Sequence, residues 1–427
     1  MKVVIVGFGP GGATAASTIS TFDPEADVEI ITEETEPAHR KPGSSLAFET
    51  PDTDQLEIQD WSLNKLKDKG IRVRMGTRVL EGDFTNRTLT IRAPDGTRSE
   101  VEFDKLVLAT GGIPNKPDIP GTGLKYTYTI QSIEDAAALG ENLPSLERIA
   151  VIGAGFSGLE IAERLHKLGN EVHLVVRSRF MRRLLEPSMS SELESRIPAD
   201  MVLHKGTAPN AIAGTNRVEG VELGDETVAC DAVLFMTGVV PNVVLGKEMG
   251  LEIGPTGGIV VDEHMETSAE GVYAIGDCAE MSDFLTGEPV LMPIGSTAAR
   301  AGKQAGLAVV GRDKIFKDVN LRLQYDRIFN TDIVCIGHSS ETANRMRIET
   351  DVTFLTDGAE FTKIALVTDK DGIIIGGQVL SPRMGSRWAY QILKRVDEGA
   401  VLKESPLLPP QHERMEELLE ETYGPIR

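Results

Sequence analysis

The sequence predicts an α/β chain: two strand–turn–helix–strand units that bind phosphate, then a tail of α+β character. Three observations carry this. Val3 to Gly12 reads VVIVGFGPGG and Ile149 to Gly158 reads IAVIGAGFSG, so a β-branched run leads into G-x-G-x-x-G twice, 146 residues apart. Each fingerprint is followed by a helix-compatible stretch and a second apolar strand. After about residue 325, strand-like runs continue without a glycine-rich turn. One such fingerprint is weak; two in one chain, each in the right context, are strong. A length of 427 residues suits two to three domains.

In the first unit, Gly7 permits the tight turn after the strand. Gly9 lets the backbone approach a pyrophosphate, and Gly12 lets helix and strand pack closely, with Pro10 and Gly11 completing the turn. The helix that follows, expected over Ala13–Ser20, offers unpaired N–H groups and the positive end of its dipole to the phosphates. The next strand, expected over Val28–Thr32, ends at Glu33, a carboxylate placed to hold a ribose diol, although Glu34 and Glu36 beside it also suit a solvated loop.

The second unit repeats the turn with Gly153, Gly155, Phe156, Ser157 and Gly158, a helix expected over Leu159–Leu168 and a strand over Glu171–Val176. It ends differently. No carboxylate stands at the ribose position; Arg177-Ser178-Arg179 do, with Arg182 and Arg183 beyond. Arginine there suits a 2′-phosphate and hence NADPH, the alternative being a basic surface helix. The cluster stands out because 65 acidic residues against 44 basic ones leave a formal charge of −21. A positive site in a negative body points to an anionic ligand, while the overall charge disfavours nucleic acid.

Hydrophobic residues are 41% and charged residues 26%, an ordinary globular mix, and 43 glycines exceed the norm of roughly 7%. Cys230, Cys278 and Cys335 form no Cys-x-x-Cys pair and no zinc or iron–sulfur spacing, so no metal site is expected. Each cysteine reads as a small buried apolar residue. No apolar run approaches the ~18 residues of a membrane helix, and the run opening at Met1 breaks at Gly7-Phe8-Gly9-Pro10, so a cytoplasmic location is expected. In the tail, strands are expected at Ile333–Ile336, Val352–Leu355, Phe361–Val367 and Ile373–Val379. A helix is expected over Arg387–Glu398, with Trp388, Ile392, Leu393 and Val396 on one face.

With these motifs the chain resembles the FAD- and NAD(P)-dependent pyridine nucleotide–disulfide oxidoreductases, and more closely their NADH oxidase / coenzyme A-disulfide reductase branch. Leu106-Val107-Leu108-Ala109-Thr110-Gly111 is similar to the family's exit from the first nucleotide domain. Phe235-Met236-Thr237-Gly238 with Pro241-Asn242 is similar to the exit from the second. TSAEGVYAIGD, Thr267 to Asp277, resembles the second flavin motif, which implies that Asp277, after Gly276, bonds the ribityl chain; a helix N-cap is the plainer reading. Gly295-Ser296-Thr297-Ala298-Ala299 resembles a helix start aimed at the flavin ring. The likeness also places Val79 among the cofactor contacts and Glu160 near the nicotinamide. It implies two Rossmann-like domains: residues 1–112 and 245–325 as a discontinuous FAD domain, and 113–244 as an inserted NAD(P)H domain. Residues 326–427 would form a dimerisation domain, hence a homodimer.

The departure from the family lies in residues 39–48, HRKPGSSLAF. Aligned on Leu46 and Phe48, Ser44 stands where disulfide-reducing relatives carry a redox cysteine. A hydroxyl forms no mixed disulfide, so a cysteine relay is not expected. Lys41-Pro42-Gly43-Ser44-Ser45 also resembles the segment beside the flavin in reductases that feed rubredoxin or ferredoxin, where Lys41 would counter negative charge on the flavin ring. Against that, the tail, with Leu408-Pro409-Pro410, looks like the oxidase branch, and an acidic carrier meets a poor surface at −21. His412 near the end would sit as a proton donor at the partner's flavin, or simply on the surface.

The expected function is FAD-dependent transfer of hydride from NAD(P)H to flavin and on to oxygen, a quinone or another small acceptor. The alternatives are a reductase feeding a ferredoxin- or rubredoxin-type carrier, a coenzyme A-disulfide or persulfide reductase, and an FAD/NADH-binding redox sensor without turnover.

Overall fold

The computed structural model describes residues 1–37, 39, 44–48, 58–312, 314–316, 319–357, 362–383, 385–405 and 407. The chain divides into two compact units. The first comprises Met1–Ile149, Ala211–Val221 and Thr227–Asn320. The second comprises Ala150–Asn210, Glu222–Glu226 and the described residues from Leu321 on. Among the described residues no helix is long and apolar enough to cross a membrane.

The first unit is built on a five-stranded sheet in the order Val272–Ala274, Lys105–Leu108, Lys2–Val6, Asp27–Ile31, Arg72–Arg74, every pairing parallel. Its three central strands are mostly β-branched and leucine residues because both faces are covered. Val3, Val4, Ile5, Val28, Ile30, Leu106, Val107 and Leu108 are all fully buried or within 1% of it. The chain leaves Lys2–Val6 for a neighbour on one side and later takes up Lys105–Leu108 on the other. Strand order therefore reverses at the carboxyl ends of these two strands, which is where open α/β sheets bind ligands.

The first helix runs Pro10–Phe22, earlier than expected, because Pro10 at its first position has its φ preset and needs no N–H partner there. It packs against Gly295–Val309 through glycines: a Cβ on Gly302 would stand 2.3 Å from the Gly11 carbonyl oxygen. The helix over Gly295–Val309 begins on the residues the sequence singled out, with Thr297 and Ala298 buried and Ser296 exposed.

The second unit repeats the plan. Arg148–Ile152, Glu171–Val176 and Val202–Lys205 lie side by side in that order, and the helix Phe156–Lys167 follows the first of them. The same unit holds the tail, an antiparallel sheet in the order Leu323–Ile328, Thr331–Gly337, Ile374–Ser381, Thr362–Asp369, Thr350–Asp357. The helix Gly385–Asp397 covers it with Trp388, Ile392, Leu393 and Val396 buried, the face expected from their spacing. Two elements were not anticipated. The edge strand Leu323–Ile328 is half polar (LQYDRI), and the six-residue helix Ser340–Arg345 is specified by a capping box between Ser339 and Thr342 rather than by an apolar stripe.

Candidate functional site

In the first unit four chain segments meet the carboxyl end of the sheet. Gly7 follows the first strand with φ +110°, and its N–H donates to the Ile31 carbonyl (2.8 Å). A Cβ there would lie 2.1 Å from the Ala109 carbonyl oxygen, and one on Gly12 would lie 2.2 Å from that of Gly7. The first and third glycines are thus demanded by the chain's own backbone. Gly9 is not: a Cβ on it meets nothing within 4 Å. It caps the helix with extended backbone and no side-chain hydrogen bond, so no cap side chain covers the first-turn N–H groups. That is the cradle a pyrophosphate requires.

Around this cradle stand Ala109, Thr110 and Gly111 after Lys105–Leu108, and Gly276 and Asp277 after Val272–Ala274. Asp277 is half-buried within a single 3-10 turn, Gly276–Cys278, that leads into a strand, so it does not cap an α-helix. Glu33 follows Asp27–Ile31, exposed, with Arg78 Nε 3.7 Å from its carboxylate. Val79, next to Arg78, lies in the strand Arg78–Asp83 and is half-buried. An exposed pair at that distance holds the carboxylate weakly, leaving it free for a diol.

The loop after Glu33 is fastened by Glu134, whose carboxylate accepts from the Thr35 N–H (3.0 Å) and Oγ1 (2.7 Å). Burial pushes this carboxyl up, but hydrogen bonds from the Thr35 side chain and from backbone N–H groups outweigh it and hold the group down to about 2. The fold therefore favours the ionised form. Its contribution is complete above the unfolded value of 4.5 and disappears as pH falls toward 2. Glu134→Gln is expected to remove about 1 kcal/mol at pH 6, after allowance for solvent screening, and almost nothing at pH 2. Urea unfolding of both proteins across that range reads the difference.

The two exits brace one another within the first unit. Gly112–Pro114 pairs antiparallel with Val239–Pro241. Thr110 Oγ1 donates to the Asn242 carbonyl (2.6 Å), the Asn242 N–H to the Gly111 carbonyl (2.9 Å), and the Asn115 N–H to the Gly238 carbonyl (2.8 Å).

In the second unit Gly153 repeats the turn with φ +118°, its N–H donating to the Val175 carbonyl (3.0 Å). Gly155 caps the helix Phe156–Lys167 without a side-chain bond, and a Cβ on it meets nothing within 4 Å. Phe156, Ser157 and Gly158 form the first turn, and Glu160 is half-buried in the second. Of the arginines beyond Val176, Arg177, Arg182 and Arg183 are exposed and Arg179 is half-buried. Arg179 and Arg182 are both paired with Glu341. Sequence reasoning gave Arg179 to a 2′-phosphate; its guanidinium is already engaged, by Glu341 and by the Leu185 carbonyl.

Lys41, Pro42 and His412 lie outside the described residues. Ser44 begins the 3-10 turn Ser44–Phe48. His39, a residue without a role in the sequence reading, is buried. Its Nδ1 lies 3.0 Å from the Pro37 carbonyl, and its Nε2 has no partner among the described residues. All three cysteines are buried. Burial raises the thiol pKa of Cys278 and pushes that of Cys335 up to about 12, so neither presents a thiolate near neutral pH.

Two helix N-termini without side-chain caps, each following a G-x-G-x-x-G turn, give the chain two turns of the dinucleotide-binding kind. The chain belongs to the pyridine nucleotide-disulphide oxidoreductase family, which residues 1–305 match. A Methanocaldococcus jannaschii protein described as an NADH oxidase is 31% identical over 407 residues, covering 92% of this chain and 89% of the relative. A Pyrococcus horikoshii NAD(P)H coenzyme A polysulfide/persulfide reductase is 29% identical over 416 residues, covering 94% and 90%. The solved structure of an NAD-dependent persulfide reductase from A. fulgidus superposes with a TM-score of 0.90 at 26% identity, covering 97% of this chain and 80% of that one.

Proposed function

We propose that the protein is an FAD-dependent NAD(P)H oxidase or dehydrogenase that passes electrons to oxygen, a quinone or another small acceptor without a cysteine relay. The observation that carries this is the set of three cysteines, all buried, together with serine at position 44. A thiol relay needs an accessible thiolate beside the flavin. FAD, when bound, supplies the group that accepts hydride and releases electrons. The chain's residues do the rest. Gly9 and the first turn of Pro10–Phe22 take the pyrophosphate, Glu33 the ribose, and Asp277 the ribityl chain. Val79, Ala109, Thr110, Gly111 and Gly238 line the flavin's surroundings, and Ser296, Thr297 and Ala298 set a positive helix end toward the ring. Gly153 to Gly158 take the NAD(P)H pyrophosphate, Glu160 stands near the nicotinamide, and Arg177 reads the adenosine end. Lys41, Pro42 and Ser44 flank the flavin, and His412 serves a partner subunit's flavin in a homodimer. Residues 1–112 with 245–325, 113–244 and 326–427 act as FAD, NAD(P)H and dimerisation domains.

The names of the P. horikoshii and A. fulgidus relatives favour a second reading, reduction of a persulfide or coenzyme A disulfide. Steady-state NADPH oxidation with air, menadione, a ferredoxin and coenzyme A disulfide separates the two. Turnover with air or menadione is expected; turnover with the disulfide alone contradicts the proposal.

A further inference from the structure

The loop after Glu171–Val176 carries four arginines, at 177, 179, 182 and 183, and the tail helix Ser340–Arg345 grips it at three points. Ser339 Oγ donates to the Arg183 carbonyl (2.8 Å), and the Ser340 N–H and hydroxyl donate to Glu186 (2.8 and 2.6 Å). At the third point the Glu341 carboxylate receives Arg179 Nη2 at 2.9 Å and Arg182 Nε at 2.9 Å. Arg345 Nη2 of its own helix adds a third contact at 2.9 Å. One carboxylate thus answers three guanidinium groups, and two of the three belong to the segment where an adenosine 2′-phosphate is expected. Arg177 and Arg183 are exposed and enter no ion pair among the described residues. The positive segment is therefore divided into two arginines open to a ligand and two tied back by the tail.

We propose that Glu341 sets the NADPH-versus-NADH preference by holding Arg179 and Arg182 away from the 2′-phosphate. The inference rests on the reading of this loop as the adenosine end of the NAD(P)H site. A 2′-phosphate carries about −1.5 to −2 charge and three acceptor oxygens, and arginine binds it in a fork of two parallel N–H bonds. The side chain of Arg182 is 48% exposed and that of Glu341 21%, so their pair is screened and readily exchanged for a dianion. Arg179, at 23%, is held more firmly and also serves the Leu185 carbonyl. Arg182 is accordingly the arm that a vacated Glu341 position releases. The device is electrostatic competition: the carboxylate imitates the phosphate and occupies its partner.

The test is calorimetric titration of the purified holoprotein with adenosine 2′,5′-bisphosphate and with 5′-AMP. The proteins are wild type, Glu341→Gln, Arg182→Gln and the double variant. Glu341→Gln is expected to tighten the bisphosphate about fivefold and leave 5′-AMP within about twofold. Arg182→Gln alone is expected to change little, because its guanidinium is already occupied, yet to abolish the gain in the Glu341→Gln background. That coupling separates a released arm from a diffuse change in charge. A gain that survives Arg182→Gln, or no gain at all, overturns the proposal. Arg345→Gln gives a second handle that does not touch the loop. It leaves the carboxylate to Arg179 and Arg182 alone, so bisphosphate binding is expected to weaken about twofold, and tightening contradicts the proposal. Arg177→Glu distinguishes the two levels. If it weakens neither NADPH nor the bisphosphate more than the unphosphorylated ligand, the adenosine reading itself fails. If it does weaken them while Glu341→Gln is silent, only the competition fails.

Discussion

Gly12→Ala is expected to yield an unstable protein that retains no flavin, whereas Gly9→Ala yields a folded protein that retains none. The contrast follows from what each new methyl meets. At Gly12 it falls 2.2 Å from the Gly7 carbonyl oxygen and 3.4 Å from the Ala109 Cβ, backbone and near-backbone atoms that cannot swing aside. Either the helix Pro10–Phe22 moves off the first strand or the turn at Gly7 opens, and both disturb the core beneath, where Phe8 and Ala13 are at most 1% exposed. A cost of about 3 kcal/mol or more is expected, the scale of severe overpacking. At Gly9 the methyl meets no protein atom within 4 Å. Its structural cost is that of alanine at a helix N-cap, about 1 kcal/mol, but it fills the space where the phosphates approach the first-turn N–H groups. Urea unfolding together with the visible spectrum of each purified variant reads both effects. A yellow Gly9→Ala protein with normal flavin content would place the pyrophosphate elsewhere.

Glu186→Ala carries the second large effect, in the other unit. Glu186 is 3% exposed and caps Pro187–Glu194. Its carboxylate accepts from the Ser340 N–H, the Ser340 hydroxyl and Gln378 Nε2 (3.1 Å), while its own N–H donates to Gln378 Oε1 (2.6 Å). All three donors to the carboxylate are neutral; the Ser340 N–H and the Gln378 amide need an acceptor, while the Ser340 hydroxyl can also accept. Alanine offers no acceptor, so the Ser340 N–H and Gln378 Nε2 are stranded in a site closed to water, whereas the oxygen of a glutamine can take both and its amino group can donate to the Ser340 hydroxyl. Leaving buried groups unsatisfied in this way costs about 2–3 kcal/mol, and Glu186→Gln is expected to cost less. The same change loosens the anchoring of the Arg177–Arg183 loop. Chemical denaturation of wild type and variant measures the loss of stability. Stability within about 0.5 kcal/mol of wild type would mean the network relaxes onto other partners.

These two variants mark what was legible in the sequence. The phosphate turns were, because each is a local signal, G-x-G-x-x-G between a β-branched run and a helix. Glu171–Val176 matched to the residue, and the apolar face of Gly385–Asp397 followed from its 3.6-residue spacing. The Glu186 network was not legible: its partners lie 154 and 192 residues away, and nothing in Glu-Pro-Ser announces a buried carboxylate. Nor was Glu341, one exposed-looking acid among 65 acidic residues, on a helix too short to show an amphipathic pattern. Arg179 illustrates the same limit. The sequence shows a charge in a promising place; only the fold shows which carboxylate answers it.

The proposed reaction centres on a flavin that takes electrons from NAD(P)H and releases them without sulfur. The direct test is anaerobic stopped-flow mixing of the Cys230→Ala, Cys278→Ala, Cys335→Ala triple variant with NADPH, followed by admission of air, read at the flavin absorbance. Bleaching and recovery at rates within about twofold of wild type are predicted, since alanine replaces three buried, unreactive thiols. A variant that bleaches normally but no longer recovers in air, while the wild type does, would put a thiol in the electron path and contradict the account.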